Sequence, residues 1–388
     1  MIGLCLAFEQ QNNYGTQLQC YATLRTVQEM GYPCEIIIYH KLHGLLDYPK
    51  EFLRLFQDDA FKGYLDARKR HKLINQDTPF GKGYRLRRSI VKQFKEKYLF
   101  PNSVTYTGFD ALQKGSKKYS TVMSGSDQVW LPAGYASQFY TLMFAAEGVA
   151  RVSYASSFGI SEIPSYHQKQ AKEFLNRMDY ISVREVRGKE LVEEYSNKHA
   201  KVVVDPTMLV DPVVWKNMLV PINEPDGYVF CYFLGKRREG REQAERLKKL
   251  TGLKIIILKH LEGYIPEDDG IGDEAPYEVG PEKFISYIKN ATYVLTDSFH
   301  GTVFSILFKK QFITFYRNEP GEKRSKNSRI DSLLGQLGIK DRVYYKSGEI
   351  EDKVKAEIDY ISVHQKLSEM REDSMKFLSE SLEACEKK

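Results

Sequence analysis

Short apolar runs alternate with helical patterns along most of the chain, and this alternation predicts an α/β fold. Residues 2–8 form an apolar run typical of a strand, and a helical pattern follows at 15–30, where Gly31 ends it. A second strand is predicted at 34–39. The segment 44–100 looks helical, and strand patterns return at 119–123, 152–155, 180–183 and 202–204, each followed by small or polar residues.

The alternation restarts after a proline-rich stretch, which predicts a second α/β domain. Pro212, Pro221 and Pro225 lie within 211–226 and discourage regular structure there. The second set of elements comprises predicted strands at 228–234, 253–258, 291–296 and 311–315 and predicted helices at 237–250, 281–289 and 301–309. A helical pattern at 351–386 has an apolar stripe that needs a surface to cover, so it is expected to pack back onto the domains.

The composition fits two soluble domains. A chain of 388 residues exceeds the usual size of one hydrophobic core, and 42% hydrophobic with 28% charged residues is ordinary for a globular protein. The most apolar long window, 291–308, contains Asp297 and His300, so no membrane span is predicted. The first residues lack a basic leader and a cleavage site, so no secretory signal is predicted, and five scattered cysteines favour a reducing cytoplasm.

Positive charge is concentrated in one stretch. Residues 62–97 carry twelve Lys or Arg against three acidic residues, whereas the whole chain has a net charge of +6. Such a stretch is most often a solvated helical face. Its functional alternative is attraction to an anionic membrane surface or to a diphosphate-linked substrate. Nucleic acid is not expected as a partner, because the stretch has neither zinc spacing nor a nucleic-acid-binding signature.

The most informative segment is ATYVLTDSFHGTVFSILFKKQFITFY at 291–316. Its apolar strand brings Asp297, Ser298 and His300 to the carboxyl end, and a helix is predicted to open at Gly301. Unpaired N–H groups and the positive end of a helix dipole beside His300 would stabilise a phosphate or a carboxylate. The alternative is a helix N-cap made by Asp297 or Ser298, with His300 merely packed nearby.

Ligands of open parallel sheets bind beyond the carboxyl ends of the strands, so polar residues at predicted strand ends are the candidates. In the first domain these are Asn12, Asn13, Tyr14, Gln17, Ser124, Ser126, Asp127, Gln128, Ser156, Ser157 and Arg184. Amides, hydroxyls and carboxylates suit a polyhydroxylated ligand, and the basic loop at 317–329 suits phosphate or carboxylate. Each motif has a structural alternative: a helix-start loop for NNYG, a strand-end turn for GSDQVW, and pairing with Glu185 or Glu190 for Arg184.

Several common site motifs are absent from the sequence. It contains no GxGxxG or GxxxxGK[ST] for dinucleotides or nucleotide phosphates, no HExxH, no Cys/His metal cluster and no GxSxG. Metal catalysis is therefore unsupported, and no metal or cofactor is expected.

Several separated motifs occur in one order along the chain: NNYGTQLQCYATL, SGSDQVW, YASSFG, ISVRE, VVDPTMLVD and TDSFHGTVFSILFKKQF. Together they resemble the polysaccharide pyruvyl transferase family, and the resemblance covers about residues 3–338. It implies two Rossmann-like domains in a GT-B-like arrangement, with phosphoenolpyruvate as donor and a sugar as acceptor. Members typically form a pyruvate ketal across two hydroxyls, commonly O4 and O6 of a hexose.

The predicted elements and the proline-rich stretch divide the chain, and the resemblance implies which side binds which substrate. Residues 1–215 are expected to form the acceptor-side domain with a basic helical insertion at 44–100, and 216–345 the donor-side domain. The C-terminal helices, 346–388, are expected to pack back across both.

Ketal formation requires an acid, a base and groups that hold anions. An imidazole, with an ordinary pKa of about 6.5, can give or take a proton at neutral pH, so His300 is the first choice. Asp127 would deprotonate or orient an acceptor hydroxyl. The expected donor-binding residues are Arg184, Ser298, Gly301, Lys323, Arg324 and Arg329, and the expected acceptor-binding residues are Asn12, Asn13, Tyr14, Gln17, Ser126 and Gln128.

One departure from the family pattern concerns the donor. Many relatives have Arg-Leu-His-Gly where this chain has Ser298-Phe299-His300-Gly301. Contacts to the donor phosphate must then come from other basic residues, for which the candidates are Lys309, Arg317, Lys323, Arg324 and Arg329.

These observations lead us to expect a cytoplasmic pyruvyltransferase of surface-glycan assembly. It would act on a sugar or a lipid-diphosphate-linked saccharide at the inner leaflet, where the 62–97 stretch would hold it peripherally against anionic lipid. The alternatives are a nucleotide-sugar glycosyltransferase, which shares the two-domain cleft, and a non-catalytic glycan-binding protein. The acceptor sugar and the oligomeric state are not determined by the sequence.

Overall fold

Two parallel sheets, one in each half of the chain, form the core of the architecture. The structure is a computed structural model that describes residues 1–42, 65, 68, 71–224, 227–260, 264–319, 327–345 and 350–387. The strands of the first sheet are β1 Ile2–Cys5, β2 Cys34–His40, β3 Ser103–Thr107, β4 Thr121–Ser124, β5 Ala150–Ser156, β6 Tyr180–Val183 and β7 Lys201–Val202. Those of the second sheet are β8 Val229–Tyr232, β9 Ile255–Ile257, β10 Tyr293–Thr296 and β11 Gln311–Thr314.

Strand order places a topological switch point in each sheet. The first sheet has the order β3-β2-β1-β4-β5-β6-β7, so successive connections run outward in opposite directions from β1 and β4. The second sheet has the order β11-β10-β8-β9, and its switch point lies between β8 and β10. A crevice forms at such a point beyond the carboxyl ends of the strands, which is where ligands of this architecture bind.

The helices cover both sheets. They are α1 Tyr14–Glu29, α2 Pro79–Tyr98, α3 Phe109–Ser116, α4 Ser165–Asn176, α5 Val186–Tyr195, α6 Pro206–Leu209, α7 Pro212–Met218, α8 Glu239–Thr251, α9 Pro281–Asn290, α10 Phe299–Leu307, α11 Ser328–Leu337, α12 Ile350–Lys355 and α13 Tyr360–Glu386. With the sheets they give the expected fold class, two Rossmann-like domains in a GT-B-like arrangement with a C-terminal helical segment.

Helix α1 joins the two domains. It packs against α6 of the first half and against α9 and α10 of the second half. Tyr14 at its start is fully buried, stacks on Phe284 with ring centroids 5.0 Å apart, and donates a hydrogen bond to the carbonyl of Val279 over 3.2 Å. The expectation that Tyr14 binds an acceptor is therefore wrong, because its ring belongs to the core between the domains.

One apolar cluster runs through both halves of the molecule. It includes Leu24 of α1, Met123 of β4, Phe230 of β8 and Leu378 of α13. Helix α13 crosses strands β4 and β5, and the Ser374 hydroxyl accepts a hydrogen bond from the backbone N–H of Val204 over 3.0 Å. The C-terminal helix thus covers the apolar surface between the halves. The domain limits at 215 and 345 stay predictions.

In the described part of the 62–97 stretch, two basic residues are internal. Arg87 of α2 is 1% exposed and donates to the backbone carbonyls of Lys259, Pro276 and Tyr277 in the second half. Lys95 donates to the carbonyl of Glu9 over 2.8 Å, and burial lowers the pKa of Lys95 to about 8. These two side chains hold α2 in place, while Lys82, Arg85, Arg88, Lys92 and Lys97 remain exposed.

The structure differs from the predicted elements in two ways. Residues 211–226 were expected to be irregular, but α7 begins at Pro212, with Asp211 accepting a hydrogen bond from the N–H of Val213. Proline fits the first position of a helix, where its missing N–H has no partner to lose. Strand β3 and helices α3, α4, α5, α6 and α11 were not predicted at all.

Candidate active site

A cavity of 280 Å³ opens where the switch points of the two sheets face each other. Its walls come from the segments that follow β1 and β4 of the first sheet and all four strands of the second, so both domains contribute. The lining residues are Ala7, Gln11, Asn13, Thr16, Asp127, Gln128, Leu131, Leu234, His260, Ser298, Phe299, His300, Arg317 and Arg329.

Helix α10 presents its N-terminal end to this cavity. It begins at Phe299, two residues earlier than predicted, and Ser298 is its N-cap, with the hydroxyl accepting from the N–H of Gly301 over 3.3 Å. Asp297 is turned to the end of β8, where its carboxylate accepts from the N–H groups of Leu234 and Gly235 over 2.6 and 2.7 Å. The capping alternative is therefore correct for Ser298, and His300 nevertheless lines the cavity.

His300 is held between two parts of the first domain. The imidazole Nε2 lies 3.7 Å from Oδ2 of Asp205. On the other side the ring packs on the backbone of Gly15, where a Cβ would lie only 2.2 Å from Nδ1. A residue of the second domain is thus positioned by the first domain, with room only for glycine at position 15.

Asp205 is the centre of a buried polar network. Its Oδ2 accepts hydrogen bonds from the Ser126 hydroxyl and from Nη1 of Arg184, each over 2.8 Å. Its Oδ1 accepts from the backbone N–H and the hydroxyl of Thr207 at the start of α6. Burial alone would raise the pKa of Asp205, but His300 and Arg184 hold it below its ordinary value.

Arg184 lies behind the wall of the cavity. Its side chain is 1% exposed, and besides Asp205 it donates to Oδ1 of Asp127 over 3.2 Å and stacks over Phe299, 4.4 Å from the ring centroid. Two carboxylates therefore already compensate this guanidinium. The expectation that Arg184 contacts the donor is not supported, because its charge serves the protein's own network.

Asp127 does face the cavity. Its Oδ2 accepts from the Thr16 hydroxyl over 2.7 Å, and its side chain is 20% exposed. Burial would raise its pKa, but Arg184, His300 and the Thr16 hydrogen bond together lower the pKa of Asp127 to about 2. At neutral pH it is a carboxylate and a very weak base. It is suited to orienting a hydroxyl more than to removing its proton.

Two arginines give the second-domain wall its positive charge. Arg329 is 6% exposed and lies 5.8 Å from the centroid of Phe299, and its Nε has no hydrogen-bond partner among the described residues. Burial, followed by the like charges of Arg184 and Arg317, lowers the pKa of Arg329 to about 9. Arg317 donates to the carbonyl of Asp297 over 3.1 Å. A bound anion would stabilise both guanidinium groups.

Comparison with known protein families identifies the family of this chain. The family model described as polysaccharide pyruvyl transferase matches residues 13–319. The chain belongs to this family.

One solved structure supports the fold. A protein described as a UDP-N-acetylglucosamine 2-epimerase from Listeria monocytogenes matches with a TM-score of 0.50 and 9% identity, over 95% of this chain and 89% of that one. A UDP-GlcNAc 2-epimerase from Neisseria meningitidis bound to UDP-GlcNAc has a TM-score of 0.45 and 12% identity, over 98% and 99%. At such identities the likeness concerns the fold alone. Sequence comparison with curated proteins finds no match.

The structure sorts the expected site residues into three groups. His300, Asp127, Ser298, Arg329, Asn13 and Gln128 line the cavity. Asn12, Tyr14, Gln17, Ser126, Arg184 and Gly301 do not line it. Lys323 and Arg324 lie outside the described residues.

Most residues that do not line the cavity support it from behind. Gln17 is fully buried and donates to the carbonyls of Phe8 and Gln11. Ser126 donates to Asp205, and Gly301 uses its N–H for the Ser298 cap. For Gly301 a Cβ would lie 2.6 Å from Oγ1 of Thr296, so close packing requires glycine there.

Sequence reasoning gave no role to Asp205, Gly15 or Thr16. All three lie inside motifs that carried the family resemblance, VVDPTMLVD and NNYGTQLQCYATL. Asp205 also follows an apolar strand, as the chosen candidates do, so position alone could have included it.

No helix in the described part of the chain combines the length and the apolar composition needed to cross a bilayer.

We expect Gly15→Ala to reduce pyruvyl transfer about 100-fold, because its Cβ would displace His300, and a displacement near 1 Å can cost that much. The measurement is kcat together with the melting temperature. Gly335→Ala is the matched control, since it also lies in a helix but has no atom within 4 Å of the added Cβ. Unchanged kcat in Gly15→Ala would show that the position of His300 does not matter.

The lowered pKa of Asp127 predicts an acid-dependent loss of stability. A carboxyl whose pKa is about 2 in the folded protein, against 3.8 ordinarily, stabilises the fold above pH 4 and loses that effect as pH falls toward 2. Asp127→Asn should therefore lower the free energy of unfolding by up to about 2 kcal/mol at pH 6, and by clearly less at pH 3. Urea unfolding at both pH values measures this.

The control for this experiment is Asp110→Asn on the exposed surface of α3. Its difference from the wild type should stay within about 0.5 kcal/mol at both pH values. A constant difference for Asp127→Asn between pH 6 and pH 3 would contradict the interpretation.

Proposed function

We propose that the cavity binds phosphoenolpyruvate and transfers its pyruvyl group to two hydroxyls of a sugar in the assembly of a surface polysaccharide. Membership of the family supports the class of reaction. One observation carries the finer proposal: His300, Arg317 and Arg329 of the second domain face the ionised Asp127 of the first across one small cavity. The cationic wall suits an anionic donor, and the polar wall suits a sugar.

The reaction sets the requirements for these side chains. A proton adds to C3 of the enol, which becomes a methyl group, and C2 becomes electron-poor. One sugar hydroxyl adds its oxygen to C2 and loses its proton, and the bond from C2 to the phosphate oxygen breaks. The second hydroxyl then forms the other C–O bond and closes the ketal. One hydroxyl proton balances the proton gained at C3, and the other leaves with inorganic phosphate.

Arg329 and Arg317 are proposed to hold the donor. Guanidinium groups bind carboxylate and phosphate through paired hydrogen bonds, and an anion beside Arg329 would offset the like charges that lower its pKa. The N-terminal end of α10 adds the positive end of a helix dipole. These groups would replace the basic residue that many relatives have at position 298.

His300 is proposed to move the protons. Asp205 lies on the Nε2 side of the ring, and a carboxylate there favours the tautomer with its proton on Nε2. Nδ1 would then exchange a proton with the substrate. The arrangement resembles other sites in which a carboxylate orients an imidazole that acts as acid and base.

Asp127, Asn13 and Gln128 are proposed to orient the acceptor hydroxyls. Asp127 already accepts from the Thr16 hydroxyl, and its ionised carboxylate can accept a further hydrogen bond from a sugar. Side-chain amides both donate and accept, as sugar hydroxyls do.

The decisive test combines donor binding with turnover. Phosphoenolpyruvate at 100 times its dissociation constant should stabilise the wild type by about 2.7 kcal/mol and raise its melting temperature. Arg329→Gln should lose this shift, whereas Arg88→Gln, on the exposed face of α2, should keep it. With a competent acceptor sugar the wild type should release phosphate, and His300→Ala should do so about 100-fold more slowly. His199→Ala, at an exposed position, is the matched control.

Two other outcomes would favour the alternative functions. Stabilisation by UDP but not by phosphoenolpyruvate would favour a nucleotide-sugar glycosyltransferase. Binding of a saccharide without phosphate release for any acceptor tested would favour a glycan-binding protein.

We further propose that the exposed basic face of α2 holds the protein on an anionic membrane, beside a lipid-diphosphate-linked acceptor. This face consists of Lys82, Arg85, Arg88, Lys92 and Lys97. Changing Lys82, Arg88 and Lys92 together to Gln should weaken sedimentation with phosphatidylserine vesicles roughly 100-fold at low salt, at about 1 kcal/mol per charge. The matched control changes Lys169, Lys172 and Arg177, which are exposed on or beside α4. Equal binding of the wild type to neutral and anionic vesicles would reject this location.

A further inference from the structure

A second cavity of 560 Å³ lies next to the one described above, at the carboxyl ends of β1 and β2. The two cavities share the lining residues Ala7 and Gln11, so they adjoin at the loop that follows β1. We propose that this second cavity, the β2 cavity, binds a sugar unit of the acceptor saccharide and directs its hydroxyls past Gln11 toward Asp127 and His300. The inference rests on the proposed function, and it names the acceptor subsite.

One wall of the β2 cavity is aromatic. Tyr39 and Phe139 have ring centroids 5.6 Å apart, and Phe139 and Tyr140 have centroids 4.8 Å apart. Tyr39 and Tyr140 are half-buried, which leaves part of each side chain accessible, and all three residues line the cavity. Such a wall can pack against the C–H face of a pyranose while the phenol groups bond to water or to hydroxyls.

The opposite side of the β2 cavity is polar and carries ionisable groups of both signs, from Glu9, His40 and Lys41. Glu9 and His40 pair with each other, with Oε1 and Nε2 2.7 Å apart. The side-chain amides of Gln10 and Gln11 make no hydrogen bond to any residue that the structure describes. Amides beside an aromatic surface suit a neutral polyol, whereas a nucleoside diphosphate would require several unpaired cations.

Hydrogen bonds from buried side chains hold the backbone of the loop between the two cavities. Gln17 donates to the carbonyls of Phe8 and Gln11 over 3.1 and 2.9 Å, and Lys95 donates to the carbonyl of Glu9 over 2.8 Å. These three hydrogen bonds define the position of the backbone that carries Gln10 and Gln11. Gln17 was expected to touch the acceptor; here it is a positioning residue for the loop that would do so.

The volume also fits this occupant. Sites for small molecules commonly enclose about 300–1,000 Å³, and the β2 cavity falls within that range while the first cavity is slightly below it. A small enol phosphate in the first cavity and a larger sugar in the second would meet at Gln11.

The experiment measures sugar binding without any donor. Saturation-transfer NMR with methyl glycosides of glucose, galactose, mannose and N-acetylmannosamine should show binding of at least one of them to the wild type. Tyr39→Ala should weaken that binding about fivefold or more, because an aromatic contact is lost. Tyr39→Phe should retain most of it. Tyr166→Ala, at an exposed position on α4, is the matched control and should bind as the wild type does.

The outcomes separate this proposal from the proposed function. If no glycoside binds, or if Tyr39→Ala binds as strongly as the wild type, the β2 cavity is not the acceptor subsite, even when phosphoenolpyruvate stabilises the protein through Arg329. If Tyr39→Ala loses sugar binding while phosphoenolpyruvate has no effect, the subsite stands and the donor assignment fails. The melting temperature of Tyr39→Ala, expected to match that of the wild type within a few degrees, excludes general unfolding as the cause.

Discussion

The buried carboxylate of Asp205 is the interaction on which both the fold and the site depend. A charge removed from water costs several kcal/mol unless it is paired and fully hydrogen-bonded, and Asp205 meets that condition with partners from three separate segments. The same carboxylate lies 3.7 Å from His300 of the other domain. A change in the relative position of the domains would move His300 away from this carboxylate, whose hydrogen-bond partners all lie in the first domain.

The two arginines beside Phe299 differ in how their charges are compensated. Arg184, 4.4 Å from the ring centroid, has its charge compensated by Asp205 and Asp127. Arg329, 5.8 Å from that centroid, has no carboxylate partner among the described residues, and its pKa is lowered. The first arginine stabilises the protein, whereas the second carries an electrostatic cost that an anionic ligand would relieve. Only the contacts in the folded protein distinguish them, because in the sequence each is simply an arginine.

Close packing of the two domains is the second constraint. Helix α1 begins at their interface, with Tyr14 in the core and Gly15 against the ring of His300. Because glycine has no side chain, the backbone at position 15 in the first domain can approach the ring of His300 from the second. Arg87 of α2 adds hydrogen bonds to three carbonyls of the second half, so the inserted helix also fixes the arrangement.

The sequence by itself determined the alternation of strands and helices, the two-domain α/β class and the strand ends that carry polar residues. These follow from local periodicity and from the rule that ligands bind at the carboxyl ends of parallel strands, and so His300, Asp127, Asn13 and Gln128 were found. It did not reveal β3, nor the helix that begins at Pro212, because short elements of mixed polarity have weak periodicity. Tertiary structure alone decided that Arg184 is compensated, that Tyr14 is core, and that Asp205 and Gly15 surround His300. Those outcomes depend on contacts between residues about 20 to 285 positions apart, which no local pattern records.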